Sequence, residues 1–352
     1  MKTVIKNVRL GKNITDITVE NGKITSVGKT DGAGIDMGGL KVYPGLIDIH
    51  SHGAVGIDVM DCNLEAVAEY ELQHGITTYY PTTLTVSEED IIAATEQKTD
   101  FPHGANIPGF HIEGPFINVK RKGAQNEKHI ISPSLEVFKK YKNAKLITLA
   151  PEVEGAMEFI KGCDAVVCLG HSESDYDTAV AAFDAGAECI THTFNAMKGI
   201  HHREPAIIEA GSDKRAYAQI ISDGFHLHPA IVRLAVRIFG KDRVVFISDS
   251  MLGTGASDGD YIFGGLPVNV KDGKAYTDYG AIAGSTTNLF DCVKCAISFG
   301  IPEDDAVKMA TENPARLMKL NKGIVAAGYD ADLIFVDDNF ELRGVMVRGE
   351  MQ

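Results

Sequence analysis

Hydrophobic residues along this 352-residue chain fall into two rhythms. From about residue 43 to 323, short apolar runs of strand length alternate with stretches in which apolar positions recur every three to four residues. The second spacing is that of an amphipathic helix. Eight runs read as strands, centred on residues 46–49, 77–81, 109–112, 146–149, 166–169, 189–193, 219–222 and 244–248. Helical patterns lie between most of them, such as 64–74 and 229–239. Eight strands alternating with helices predict an α/β protein with a closed, TIM-like (β/α)8 barrel. Residues 258–283 break the rhythm with glycines and β-type residues, which predicts a hairpin excursion after the last strand. Helices resume at 286–298, 303–310 and 313–319.

The two ends of the chain have a different texture. Residues 4–8 and 14–19 alternate, and Asn21-Gly22 carries the residues of a tight hairpin. Residues 332–336 and 345–347, followed by Arg348-Gly349, repeat that texture. The expectation is one small β-sandwich built from residues 1–42 and 324–352, with the barrel occupying 43–323.

Several of the apolar runs close on residues that bind metals. The first ends in His50-Ser51-His52, the third in His111-Ile112-Glu113, the fifth in Gly170-His171, the sixth in Thr191-His192, and the eighth in Ser248-Asp249. Side chains two apart on a strand share a face, so His50 and His52 can reach one cation. Taken singly, each histidine reads as a satisfied polar strand end. A barrel, however, gathers all its strand ends at one rim, and that changes the reading to a metal site and hydrolysis. Asp249 suits a proton carrier beside the metal, and His226, after the seventh strand, suits a group that polarises a carbonyl or binds a sugar hydroxyl. His111 reads as buried and structural. The pair Cys292 and Cys295 has no second pair and lies in a helical pattern, so packed thiols are expected there.

Composition narrows the partners. A net charge of −14 predicts no general attraction to nucleic acid or to an anionic membrane, and an anionic substrate would need a local cation. The six cysteines are scattered and no leader-like segment is recognised, which reads as reduced thiols in the cytoplasm. No apolar run reaches the roughly 18 residues of a membrane span.

Longer motifs carry a resemblance. The segment from Pro44 through Gly53 and the closing stretch from Gly323 to Leu333 resemble the signature segments of the amidohydrolase superfamily. Within it, His111-Ile112-Glu113-Gly114-Pro115-Phe116, Gly170-His171-Ser172, His192-Thr193-Phe194-Asn195-Ala196-Met197, His202-Arg203-Glu204-Pro205, Asp223-Gly224-Phe225-His226 and Ser248-Asp249 occur in the order of the N-acetylglucosamine-6-phosphate deacetylase family. The resemblance covers essentially the whole chain. It implies that Glu113, His171 and His192 hold the catalytic metal and that Asp249 is the general base and acid. It also implies that His226, Asn195 and Ala196 contact an amino-sugar phosphate, that Arg203 takes its phosphate, and that the enzyme is a homodimer.

Two departures stand out. His50 and His52 are absent from some members, and their presence allows one or two divalent cations per subunit, zinc first, with iron, manganese or cobalt also suited to imidazole and carboxylate. Gln125 stands where other members carry a substrate-contacting histidine. It can hydrogen-bond a hydroxyl or a carbonyl but cannot carry charge, which leaves the sugar epimer open. The rival expectations are a deacetylase for the galactosamine epimer or another amidohydrolase, and a non-catalytic scaffold.

Overall fold

A computed structural model describes residues 2–352. Eight parallel strands run in the order of the sequence: β1 (Leu46–Ser51), β2 (Ile76–Thr83), β3 (Phe110–Glu113), β4 (Ala144–Leu149), β5 (Val166–Leu169), β6 (Cys189–Ile190), β7 (Tyr217–Ile221) and β8 (Val244–Ile247). All eight expected strands are present. The sixth is only two residues long, because the chain turns at Thr191 towards His192. The barrel closes just beyond the regular ladders. Asp249 N donates to His50 O at 2.9 Å, and His52 N donates to Ser250 O at 2.7 Å.

Both faces of the strands are buried, as a parallel sheet requires. An outer layer packs strand residues such as Phe110, Leu149, Leu169 and Phe246 against the surrounding helices. An inner cluster fills the barrel with Ile47, Ile49, Leu146, Val166, Cys168, Val245 and Ile247, plugged by Ala315 and Leu317. Leu64–Gln73 and Pro229–Phe239 are helical, as the spacing predicts. The six cysteines form no disulfide, and Cys292 is buried on the helix Leu289–Ser298.

The terminal segments form one continuous eight-stranded sheet. Strands Lys2–Leu10, Asn13–Glu20, Lys23–Val27, Lys41–Pro44, Leu333–Val336 and Leu342–Val347 surround a shared core of Ile5, Val8, Ile17, Ile24, Leu333, Phe335 and Met346. The sheet therefore curls on itself, and its far hairpins touch at Gly22 and Gly349. Asn21 and Gly22, with φ of 51° and 75°, make the tight turn that their sequence predicts. The excursion after β8 is a three-stranded antiparallel meander, Gly259–Phe263, Leu266–Lys271 and Lys274–Thr277, one strand more than a hairpin. Its Phe263 packs edge-on against His52, at 5.4 Å between ring centroids.

Candidate active site

A cavity of about 350 Å³ opens at the carboxyl ends of the strands. Strand ends put the charged groups on its floor, and backbone geometry aims them. His171, His192 and Asp249 all adopt left-handed φ values, of 49°, 26° and 49°. Such conformations are costly for residues with a Cβ and concentrate where the fold forces a side chain into position. After Glu113 the chain must turn at once. Gly114, at φ 75°, does so, and a Cβ there would collide with the Thr85 hydroxyl. In β1 the register slips between Asp48 and Ser51. That bulge lets His50 follow Ile49 towards the barrel interior, while Ser51 turns outward to Glu71.

The resulting cluster is dense. Glu113 Oε1 lies 3.2 Å from His171 Nε2, 3.0 Å from His192 Nε2 and 3.3 Å from His50 Nε2. Its Oε2 lies 3.2 Å from His52 Nε2. His50 and His52 meet at 3.2 Å, and His171 and His192 at 3.0 Å, in each case through Nε2. Asp249 Oδ1 lies 3.4 Å from both His50 Nε2 and His52 Nε2. Two groups therefore have cation-binding geometry, one of His50, His52 and Glu113, the other of Glu113, His171 and His192. Glu113 belongs to both.

The outer ring nitrogens decide what the inner ones can do. His52 Nδ1 donates to Thr82 O at 3.0 Å, His171 Nδ1 to Arg121 O at 2.8 Å, and His50 Nδ1 to Gln219 Oε1 at 3.1 Å. When neutral, with their protons on Nδ1, the three rings turn Nε2 lone pairs inward. Lone pairs and carboxylate oxygens converging at about 3 Å repel one another. A cation among them, or protons on some of them, removes that repulsion. Imidazole and carboxylate donors in this number suit a divalent transition metal. His192 differs, since its Nδ1 is buried without a partner.

The charges respond to that crowding. Burial pushes Glu113 up, but the imidazoles of His50 and His171 outweigh it and hold the carboxyl well below its ordinary range. Burial likewise opposes ionisation of Asp249, yet His50 and His52 bring it down to about 2. Burial works against the charge on His52, and hydrogen bonds to Asp249 and Glu113 overcome it, drawing the ring up to about 10. His111, buried beside His50 and bonded to Thr148 Oγ1 at 2.8 Å, is driven well down by burial. Its ring lies edge-on to that of His50, 4.5 Å between centroids, and both its nitrogens are taken by the hydroxyls of Thr82 and Thr148.

The remaining expected residues divide. His226, Asn195 and Ala196 line the cavity. Asp223 Oδ2 accepts from His226 Nδ1 at 2.7 Å, leaving Nε2 for a ligand. Gln125 also lines the cavity, and its amide is held at both ends. Nε2 donates to Glu113 Oε2 at 2.6 Å and Oε1 accepts from Thr85 N at 2.7 Å. Arg203 sits apart, exposed on the loop 199–205, and is not part of the cavity wall. The cations on the wall are Lys120 and Arg121. Arg121 is paired with Glu173, whereas Lys120 has no ionic partner among the described residues. Lys120 escaped sequence reasoning because one lysine in the run Lys120-Arg121-Lys122 looks like surface. Gln219 left a signal, a polar residue inside an otherwise apolar buried strand.

The amidohydrolase family model matches residues 42–351, nearly the whole chain. This protein is an amidohydrolase. As an amidohydrolase it is 36% identical over 355 residues to the N-acetylglucosamine-6-phosphate deacetylase of Vibrio furnissii, covering 94% of this chain and 89% of that one. It is 33% identical to the N-acetylgalactosamine-6-phosphate deacetylase of Escherichia coli O157:H7, covering 88% and 86%. Its fold superposes with a TM-score of 0.92 on a variant of the Mycobacterium smegmatis N-acetyl-D-glucosamine-6-phosphate deacetylase in complex with N-acetyl-D-glucosamine-6-phosphate. That pair is 31% identical, and the match covers all of this chain and 98% of that one. Among the described residues no helix of this amidohydrolase is long and apolar enough to cross a membrane.

Proposed function

We propose that the protein hydrolyses N-acetyl-D-glucosamine 6-phosphate to D-glucosamine 6-phosphate and acetate. The observation that carries this reading is the convergence of Glu113, His171, His192 and Asp249 on the floor of one cavity. Full-length likeness to deacetylases of that substrate supports it.

Glu113, His171 and His192 would hold a divalent cation, zinc in the first instance, and His50, His52 and Glu113 a second. A cation so held makes water a better nucleophile and draws electron density from the acetyl carbonyl. Asp249, ionised at neutral pH, accepts a proton from the attacking water and returns it to the departing amine nitrogen. His226, steadied by Asp223, presents Nε2 to the acetyl oxygen or a sugar hydroxyl. Asn195 and Ala196 form the wall against which the sugar phosphate lies. The phosphate falls to cations at the mouth, with Lys120 on the wall and Arg203 on the neighbouring loop. Gln125 orients Glu113.

This reading also places the enzyme in the cytoplasm, as a homodimer, with residues 1–42 and 324–352 as an accessory domain to the 43–323 barrel. The pairing of Lys41–Pro44 with Leu333–Val336 supports that division, with the first boundary near residue 44. The galactosamine epimer is the second reading, favoured by the likeness to the Escherichia coli enzyme. Acetate release from both N-acetyl epimers, with and without the 6-phosphate, tests the proposal. Release from neither phosphorylated sugar would end it.

A further inference from the structure

Behind the histidines, on the side of β1 turned away from the cavity, a buried polar chain runs to the barrel seam. It begins at Glu71, on the barrel face of the helix Leu64–Gln73 and 1% exposed. Glu71 Oε1 lies 3.2 Å from Ser51 Oγ, Ser51 Oγ lies 2.8 Å from Ser250 Oγ, and Ser250 Oγ lies 3.1 Å from Gly53 O. Ser51 stands between His50 and His52 on β1, and Ser250 follows Asp249 beyond β8. The chain therefore crosses the seam at which those three residues meet.

Counting protons identifies what Glu71 must be. Three contacts need three protons, and the two serine hydroxyls supply two. An ionised Glu71 would take the proton of Ser51 and leave Ser250 with one proton for two contacts, whereas a protonated Glu71 donates to Ser51 and lets Ser51 donate to Ser250 and Ser250 to Gly53 O. Its surroundings agree. Among the described residues no cation pairs with Glu71, its Oε2 has no partner, and the nearby ionisable groups are Asp48 on β1, Tyr79 on β2 and Tyr70 on its own helix. A neutral carbonyl oxygen tolerates such isolation far better than half of a carboxylate. Burial, then the Asp48 carboxyl, pushes the acid up to about 8.

We propose that Glu71 is a positioning residue that serves as a neutral acid, its proton completing the chain that holds β1 and β8 where His50 and His52 face Asp249. The role of those three residues rests on the proposed deacetylation. Glu71 touches no substrate and acts only through Ser51 and Ser250. Its contribution is to orientation, where a displacement of about 1 Å in a reacting group costs on the order of a hundredfold in rate.

The test compares Glu71→Gln, Glu71→Leu, Ser250→Ala and the Glu71→Leu/Ser250→Ala double variant. Each is measured for kcat, KM, metal content and thermal midpoint. A glutamine amide still donates to Ser51, so Glu71→Gln is expected to keep kcat within about threefold. Glu71→Leu fills the space without a donor, and its kcat is expected to fall roughly tenfold or more at little-changed KM. Its midpoint should fall only modestly, since leucine removes the unpartnered Oε2 while leaving Ser51 Oγ one hydrogen bond short. Because both residues serve one chain, the double variant should lose no more than the worse single variant. Wild-type kcat in Glu71→Leu, a folded Glu71→Gln as impaired as Glu71→Leu, or additive losses would each overturn the proposal. If Glu71→Leu does not fold, Glu71→Gln and Ser250→Ala still decide, the first near wild type and the second impaired. A wild-type protein that releases no acetate refutes the proposed function instead. Affinity for a second cation at His50 and His52 then reports on the same variants.

Discussion

Gln125 and Glu113 are joined by a hydrogen bond of 2.6 Å, from the amide nitrogen to Oε2 of the carboxylate that both candidate cation groups share. The amide orientation follows from its other end, because Thr85 N–H needs an acceptor and finds Oε1 at 2.7 Å. Gln125 is thus held at both ends and in turn holds Glu113.

Gln125→Ala is therefore expected to weaken metal binding before it weakens sugar binding. A hydrogen bond to a charged group is worth about 1.5–3 kcal/mol, which corresponds to roughly ten- to a hundredfold. Metal titration should show a loss in that range, with kcat falling alongside and KM changing less. A raised KM at unchanged metal affinity would make Gln125 a substrate contact after all.

His50 and His52 should set the metal count. Protein loaded with excess zinc is expected to hold two equivalents, and His50→Ala or His52→Ala to hold one. Elemental analysis of the dialysed proteins checks this. Unchanged stoichiometry and activity in both variants would reduce the pair to structural residues.

Asp249→Asn keeps the shape of the side chain and removes its capacity to accept a proton. A loss of kcat of roughly a hundredfold or more is expected, the scale of general acid–base catalysis. Metal at Glu113, His171 and His192 should persist. Turnover and metal content are measured on one preparation, and near-normal turnover refutes the role. Joint loss of both would recast Asp249 as a ligand and leave His226 as the next proton carrier.

Phosphate recognition separates two cations. Lys120 lines the cavity without an ionic partner among the described residues, and Arg203 stands exposed on the loop 199–205, outside the cavity wall. Lys120→Ala is expected to raise KM for the phosphorylated sugar by roughly tenfold, the cost of one charge-assisted contact, and to leave the unphosphorylated sugar untouched. The same pattern in Arg203→Ala, with Lys120→Ala silent, would move the phosphate to the loop.

Strand ends were legible because most of the buried strands are short, mainly apolar runs that stop at a polar residue. That pattern located all eight barrel strands and, through them, His50, His52, Glu113, His171, His192 and Asp249. The partners of those side chains were less visible. His52 and His171 are oriented by the carbonyls of Thr82 and Arg121, and a backbone carbonyl has no residue identity to read. The fate of Gln125 was equally hidden, because its two partners lie 12 and 40 positions away along the chain. Glu71 gave a faint sign as a carboxylate on the apolar face of a helix. Its meaning needed Ser51 and Ser250, 199 residues apart, to be brought together.

That closing seam also governs when the molecule becomes an enzyme. As the chain leaves the ribosome, Glu113, His171 and His192 are all synthesised before β8 exists. A growing or truncated chain that stops short of residue 244 can contain those three residues, yet it has no Asp249 and no strand to close the barrel on the open side of β1, opposite β2. The terminal sheet imposes the same order, since Lys41–Pro44 waits for Leu333–Val336 to pair with it. Closure of the barrel beside the histidines thus waits for the residues from 244 onward, and pairing within the terminal sheet for residues 333–336.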